Sequence, residues 1–162
     1  VLAQFIGGTV AVGLMQWLMG NILTDPPVNS VATVPGKSGA GWALVAELFI
    51  AFITMSMVLF TSRHEKLKKF TRIFAACLVC TWVILAGPLS GFGMNPARSL
   101  ASALPSGTWT SCWIYLLVPF AGMLLAAEFY LLVERNRGNN HYPKGETSKL
   151  KKSFLEPLEF ML

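Results

Sequence analysis

Residues 87–100 read GPLSGFGMNPARSL, and this stretch decides the fold that we predict for the chain. It is too polar and too rich in glycine to be a membrane-spanning helix. It is also too apolar around Phe92 and Met94 to be an ordinary surface loop. Gly91 and Gly93 can supply extended or left-handed backbone at its centre. The stretch is therefore expected to combine irregular backbone with a short helix.

The short helix is expected to begin at Asn95 and to cover residues 95–103. Asparagine is a favourable N-cap, and Pro96 suits the first helical position. Two to three turns are too few to cross a bilayer, which needs about 20 residues. Irregular backbone at membrane depth is tolerated only where it is buried in protein or lines a water-filled cavity. The pattern therefore indicates a re-entrant half-helix in a channel or a transporter.

The composition around this segment is that of a membrane protein. Of the 162 residues, 54% are hydrophobic and 13% are charged, against about 25% charged in a typical soluble domain. The mean hydropathy is +0.55. Four apolar runs, at about 2–19, 42–61, 73–89 and 113–133, are each long enough to span a bilayer. We therefore predict an all-α membrane protein with about four transmembrane helices and one re-entrant half-helix.

The basic residues predict the orientation of these spans. The chain has 13 Lys and Arg against 8 Asp and Glu. The basic ones concentrate in the 63–72 loop and after the last apolar run. Because basic residues near span ends stay in the cytoplasm, the 63–72 loop and the 136–162 tail are expected to be cytoplasmic. No nucleic-acid partner is expected, because each basic cluster adjoins an apolar span.

The segment NPARS at 95–99, preceded by AGP at 86–88 and GFGM at 91–94, resembles the second Asn-Pro-Ala signature of the aquaporin, or major intrinsic protein, family. Positions resembling the third, fourth and sixth spans of that family are Gln4, Glu47 and Tyr115. The resemblance implies an aquaporin-like right-handed helical bundle, built as an inverted repeat of six spans and two half-helices. It also implies a homotetramer in the lipid bilayer.

Residues 1–135 would then form a partial channel domain that holds the third span and the second half of the repeat. The first Asn-Pro-Ala half-helix is not in this sequence. The chain begins with Val1 rather than Met, so a fragment or a processed product is expected.

The resemblance also implies roles for individual residues. Asn95 would donate to water at the pore centre, and Arg98 would belong to the outer selectivity filter. The residues assigned to the pore and its selectivity are Asn95, Pro96, Ala97, Arg98, Phe92 and Val83. The alternative for Arg98 is that it only extends to the outer interface.

The filter residues leave the solute open between water and glycerol. Val83 stands where strict water channels usually carry histidine, and Phe92 resembles the choice of glycerol-conducting members. Ser99, however, resembles the water-channel type. We therefore predict a passive channel for water, with small neutral solutes such as glycerol as further candidates. Protons and ions would be excluded by Arg98 and by the dipole of the half-helix.

Glu47 lies within an otherwise apolar run, and a buried carboxylate needs partners. By resemblance, it would accept hydrogen bonds from the backbone of the re-entrant segment and support it. A proton-relay role, as in transporters, is the alternative.

No enzyme, cofactor or metal site is expected. Cys77 and Cys80 form a CxxC inside an apolar run, where packing is a better interpretation than metal binding. His64 and His141 stand alone in basic segments. Three alternatives to a working channel stay open: a non-conducting structural protein, a truncated non-conducting piece and, less favoured, a secondary transporter.

Overall fold

The computed structural model describes residues 2–137, and the regular elements among them are all helical. The helices are α1 (Leu2–Met19), α2 (Asn21–Thr24), α3 (Ala40–Arg63), α4 (Thr71–Ser90), α5 (Pro96–Ser106) and α6 (Cys112–Arg137). Two 3-10 turns, Asn29–Val31 and Lys68–Phe70, lie in the connections. Of the predicted tail, residues 136 and 137 complete α6, and 138–162 lie outside the described residues.

Four of these helices are long and apolar enough to cross a membrane: α1, α3, α4 extended back to Lys68, and α6. The prediction of an all-α membrane protein with four spans is therefore confirmed. Three of the helices, α3, α4 and α6, extend beyond the predicted apolar runs at both ends. At the end of α3, Arg63 continues the helix, because a long basic side chain can reach the polar interface from a span end.

Helix α3 is the centre of the packing and contacts both α6 and α4. On the α6 side, Met55 and Tyr130 belong to one buried cluster. The two helices approach closely at Gly122, where a Cβ atom would lie 2.7 Å from the carbonyl oxygen of Leu48. On the α4 side, the indole nitrogen of Trp82 donates to the hydroxyl of Thr54 at 3.1 Å. Close approach at a small residue and hydrogen bonds between helices thus both stabilise the bundle, as is typical within lipid.

Helix α1 lies apart from this centre and rests on the short helix α5. None of its residues is buried within the described structure. The contact is close, because a Cβ atom at Gly8 would lie 2.9 Å from the Cβ of Ala101.

The short helix α5 ends later than the sequence predicts. Its predicted range was 95–103, but it runs from Pro96 to Ser106, with Asn95 as N-cap. Gly107 adopts a left-handed conformation with φ 67° and stops the helix there, as glycine often does. The 11 residues give a length of about 16 Å, still too short to cross the bilayer.

Candidate functional site

The backbone that links α4 to α5 is held in an unusual conformation. Gly91 closes α4 with φ 74°, and Phe92 and Met94 also have positive φ values of 52° and 53°. Such values are uncommon for bulky residues and cost on the order of 1–3 kcal/mol each. Unusual backbone was expected at Gly91 and Gly93, whereas the positive φ values lie at Gly91, Phe92 and Met94. The loop therefore needs contacts that hold it.

The carboxylate of Glu47, on α3, supplies such contacts from a fully buried position. One oxygen accepts from the Ser90 hydroxyl and from the backbone N–H of Gly93, each at 2.8 Å. The other oxygen accepts from the backbone N–H of Met94 at 2.7 Å. Three donors to one carboxylate offset the cost of burying its charge. They also fix the backbone at the strained positions.

A second layer of contacts runs through Ser90 and Tyr115. The Ser90 hydroxyl accepts from the backbone N–H of Phe92 at 3.1 Å. The Tyr115 hydroxyl, brought by α6, donates to the Ser90 carbonyl at 2.6 Å. Both residues are fully buried. Sequence reasoning did not assign this support role to either residue. The only available signal was a hydroxyl group in an apolar setting, where it must find a partner.

Gly93 is required for space rather than for its φ angle. A Cβ atom there would lie 2.6 Å from Cδ1 of Tyr115 and 3.0 Å from the hydroxyl oxygen of Ser99. It would also lie 3.3 Å from the Glu47 carboxylate. The loop therefore approaches α3, α5 and α6 so closely that no side chain fits.

Substituting Gly93→Ala is expected to lower the stability of the protein by about 1–3 kcal/mol, the usual cost of overpacking a dense core. The measurement is the thermal unfolding midpoint of the purified protein in detergent. Gly41→Ala is the matched control, since a Cβ at Gly41 meets nothing within 4 Å. Equal midpoints for the two variants would contradict the close approach at Gly93.

Arg98 and Phe92 form a pair at the start of α5. The Arg98 guanidinium donates to the Phe92 carbonyl. Its central carbon lies 5.8 Å from the centroid of the Phe92 ring, within the range of a cation–π contact. The pair thus presents a cationic donor surface directly beside an aromatic one. The rest of Arg98 is exposed within the described structure.

Asn95 caps α5 with its side-chain oxygen, which accepts from the backbone N–H of Ala97 at 2.8 Å. Pro96 follows at the first helical position. Because the oxygen faces the helix end, the amide NH₂ group points away from it. The amide can therefore donate to an oxygen outside the helix.

A cavity of about 550 Å³ lies between α1 and α5 and brings several predicted residues together. Its lining comprises Gln4, Gly8, Ala11, Val12, Met15, Leu23, Ser30, Val31, Asn95, Ala97, Arg98, Ala101 and Ser102. Asn95, Ala97 and Arg98 meet here, whereas Pro96 is buried behind them. Within residues 2–137, Phe92 and Val83 do not line this cavity. Val83 is 49% exposed on α4.

Helix α1 contributes to this cavity, although Gln4 was expected to pack between helices rather than to contact solute. Gln4 and Met15 lie on its lining. The helix also contacts the connection between α2 and α3, because the Gln16 amide donates to the Ser30 hydroxyl at 2.7 Å. Two glutamines in an apolar run were the available signal, since an amide within a span needs a polar partner.

In the described part of the chain, no group of three or more His, Cys, Asp or Glu side chains could hold a metal ion. Cys77 and Cys80 are both exposed on α4. A packing role for these two residues within the membrane, rather than metal binding, stays a prediction.

Comparison with known proteins adds to this geometry. The family model described as major intrinsic protein matches residues 1–130. This chain belongs to the major intrinsic protein family. It is 32% identical over 134 residues to a protein named aquaporin NIP1-1 from Zea mays, covering 82% of this chain and 46% of that protein.

Two further relatives give the same result. Aquaporin NIP1-4 from Oryza sativa subsp. japonica is 32% identical, with 82% of this chain and 47% of that protein covered. Probable aquaporin NIP4-2 from Arabidopsis thaliana is 33% identical, with 79% and 44% covered. The chain thus spans about half the length of the curated relatives it matches.

Family membership confirms the resemblance on which the sequence analysis relied. It identifies a multi-pass integral membrane protein. The family consists of channels rather than enzymes, which agrees with the expectation that the chain has no enzymatic role.

Proposed function

We propose that the complete protein is a passive channel for water that moves neutral solute in single file and excludes protons and ions. The observation that carries the proposal is the re-entrant segment itself. Buried contacts to Glu47 hold it, and it presents Asn95 and Arg98 to a common cavity. A pore lining requires that its irregular backbone be held by buried groups, here Glu47, and that polar donors such as Asn95 and Arg98 face the pore.

Asn95 is the donor at the centre of the proposed pore. Its oxygen caps α5, so the amide NH₂ group donates to the oxygen of a passing water. The N-terminus of α5 carries a partial positive charge of about half an elementary charge. A water held by these groups points its hydrogens away from them, and a cation or hydronium is repelled. Pro96 and Ala97 fix the start of the helix that carries this charge.

Arg98, Phe92 and Val83 are the proposed filter. The contact of the guanidinium with the Phe92 carbonyl and ring fixes where its remaining donors point. Val83 is included by its position before the Asn-Pro-Ala signature on α4, and its place in the filter is part of the proposal. A fixed cation at a narrow opening selects for neutral molecules that accept hydrogen bonds.

Glycerol is the second candidate solute, and the contact between Arg98 and Phe92 favours it. An aromatic surface beside a guanidinium accommodates the carbon side of a polyol, while the guanidinium binds its hydroxyl groups. Water requires only the guanidinium and not the aromatic surface. The choice between the two solutes depends on the width of the opening.

The proposed orientation places the 63–72 loop and the tail after α6 in the cytoplasm. Support comes from the density of basic residues next to the ends of α3, α4 and α6. After α3, the chain crosses the membrane through α4 and again through α6, while α5 does not cross it. The end of α6 therefore lies on the side where α3 ends. A homotetramer in the bilayer, with one pore in each protomer, completes the proposal.

Stopped-flow light scattering on proteoliposomes made with the complete protein tests the choice of solute. A glycerol gradient first shrinks the vesicles and then allows re-swelling if glycerol enters. Fast shrinkage without fast re-swelling is the result expected of a water channel. Fast re-swelling would instead assign the protein to the glycerol facilitators. The aromatic surface of Phe92 would then be the feature that determines the choice of solute.

A further inference from the structure

We propose that the connection between α3 and α4 is a docking surface for the phosphorylated headgroups of anionic phospholipids. We call residues 63–72 the basic loop. Lipid binding at the basic loop is a function separate from the proposed conduction of water, because it does not require an open pore. The inference rests on α3 and α4 being membrane spans and on the proposed cytoplasmic placement of the basic loop, where anionic lipids concentrate.

The charge of the basic loop is the first argument. Its basic residues are Arg63, Lys66, Lys68, Lys69 and Arg72, and its single acidic residue is Glu65. Clusters of four to eight basic residues next to a span are typical of sites for anionic lipids. Each basic group near a negatively charged surface contributes about 1 kcal/mol.

The length of the connection keeps these charges at the membrane surface. Only residues 64–70 separate the end of α3 from the start of α4. Seven residues at about 3.5 Å each give about 24 Å of chain. Because the chain must return to the membrane, its backbone can extend at most about 12 Å from the span ends. The actual reach is shorter because the segment is turned on itself. The charges therefore stay within about one Debye length of the lipid phosphates, where screening is weak.

The backbone of the loop is ordered by its own hydrogen bonds, so its charges are displayed rather than dispersed. The N–H groups of Leu67 and Lys68 both donate to the carbonyl of His64, at 3.0 and 2.9 Å. Phe70 donates to the carbonyl of Leu67 at 2.8 Å. Lys68–Phe70 forms a 3-10 turn that leads directly into α4.

Apolar side chains alternate with the basic ones and are exposed. Leu67 is 37% exposed and Phe70 is 41% exposed. The ammonium group of Lys69 lies 4.9 Å from the centroid of the Phe70 ring. Exposed aromatic and aliphatic groups favour the headgroup region, where one end of the side chain is apolar and the other is wet. A soluble polyanion would satisfy the lysines but leave Leu67 and Phe70 in water.

These features together favour a lipid over a nucleic acid or an acidic peptide. Because the basic loop is a short connection between two spans, it lies beside the lipid headgroups. A large soluble partner would have to approach a surface that lipid already surrounds. Several phosphates on one headgroup match several ammonium groups within a single turn of chain. A polyphosphorylated inositol lipid is therefore the best-matched probe.

The test measures binding of short-chain phosphatidylinositol bisphosphate to the purified complete protein in an uncharged detergent. We expect saturable binding that weakens as the salt concentration rises. The combined variant Lys66→Gln, Lys68→Gln and Lys69→Gln is expected to lower the affinity at least about tenfold. Lys66→Arg, Lys68→Arg and Lys69→Arg keeps the charge and is expected to keep the affinity within about threefold.

The matched control removes the same charge elsewhere. Lys149→Gln, Lys151→Gln and Lys152→Gln is expected to change the affinity less than about twofold. An equal or larger loss in this control would overturn the proposal, as would no loss in the basic-loop variant. Equally tight binding of soluble inositol trisphosphate would also overturn it, by showing a site for free phosphate. Because the assay needs no conduction, its failure is distinct from failure of the proposed water channel.

Discussion

Glu47→Gln is expected to abolish most of the water permeability and to lower the free energy of unfolding by about 3 kcal/mol. The amide keeps the shape of the carboxylate, but one of its oxygens becomes an NH₂ group. That group must then face the N–H of Met94 or the donors from Ser90 and Gly93. A buried donor loses its acceptor, and the loop at Phe92 and Met94 loses the contact that stabilises its strained backbone.

Glu128→Gln is the matched control for this prediction. Glu128 lies exposed on α6, so the same chemical change there should leave both properties close to those of the unsubstituted protein. The measurements are the unfolding midpoint in detergent and the shrinkage rate of proteoliposomes at matched protein content. If Glu47→Gln conducts water and unfolds like Glu128→Gln, the carboxylate does not support the loop.

Arg98→Ala is expected to admit solutes that the unsubstituted protein excludes, while water continues to pass. Removing the guanidinium takes away a fixed positive charge and the donor to the Phe92 carbonyl, and it widens the opening. The permeability to excluded small solutes should rise by about tenfold, which corresponds to a barrier lower by about 1.4 kcal/mol. The measurement is solute entry into proteoliposomes, with proton entry followed by an internal pH dye.

The control for Arg98 is Arg135→Ala, because Arg135 is exposed near the far end of α6. It carries the same charge but lies outside the cavity lining. Unchanged exclusion of both solutes and protons in Arg98→Ala would show that the guanidinium is not part of a filter.

The apolar runs and the sequence between residues 87 and 100 were enough to predict four spans and one short helix, whereas the aquaporin-like bundle followed from the family resemblance. Apolar runs give spans because the bilayer demands length and internal hydrogen bonding. Asn95 and Pro96 marked the start of α5 because N-cap chemistry is local. The end of α5 was predicted too early, at 103, whereas the helix runs to Ser106. There the stop at Gly107 was the better signal.

The internal support of the site was harder to predict. The role of Ser90 depends on a carboxylate 43 positions earlier in the chain, and Tyr115 reaches the Ser90 carbonyl from another helix. Neither contact has a periodic signature in sequence. Gly93 shows the same limit: its small size suggested backbone freedom, whereas the structure requires it because three helices converge there. Capping residues near a helix end predict that end from local sequence. The close approach of three helices at Gly93 is visible only in the folded structure.

Whether the complete protein is a water channel is tested by the osmotic water permeability of proteoliposomes that contain it. Vesicles with and without protein, matched in size and lipid, are mixed with a sucrose gradient in a stopped-flow instrument. We expect shrinkage much faster than in protein-free vesicles, with a rate that increases in proportion to the amount of protein inserted. Shrinkage at the rate of protein-free vesicles, with folded protein present in the bilayer, would contradict the proposed water channel.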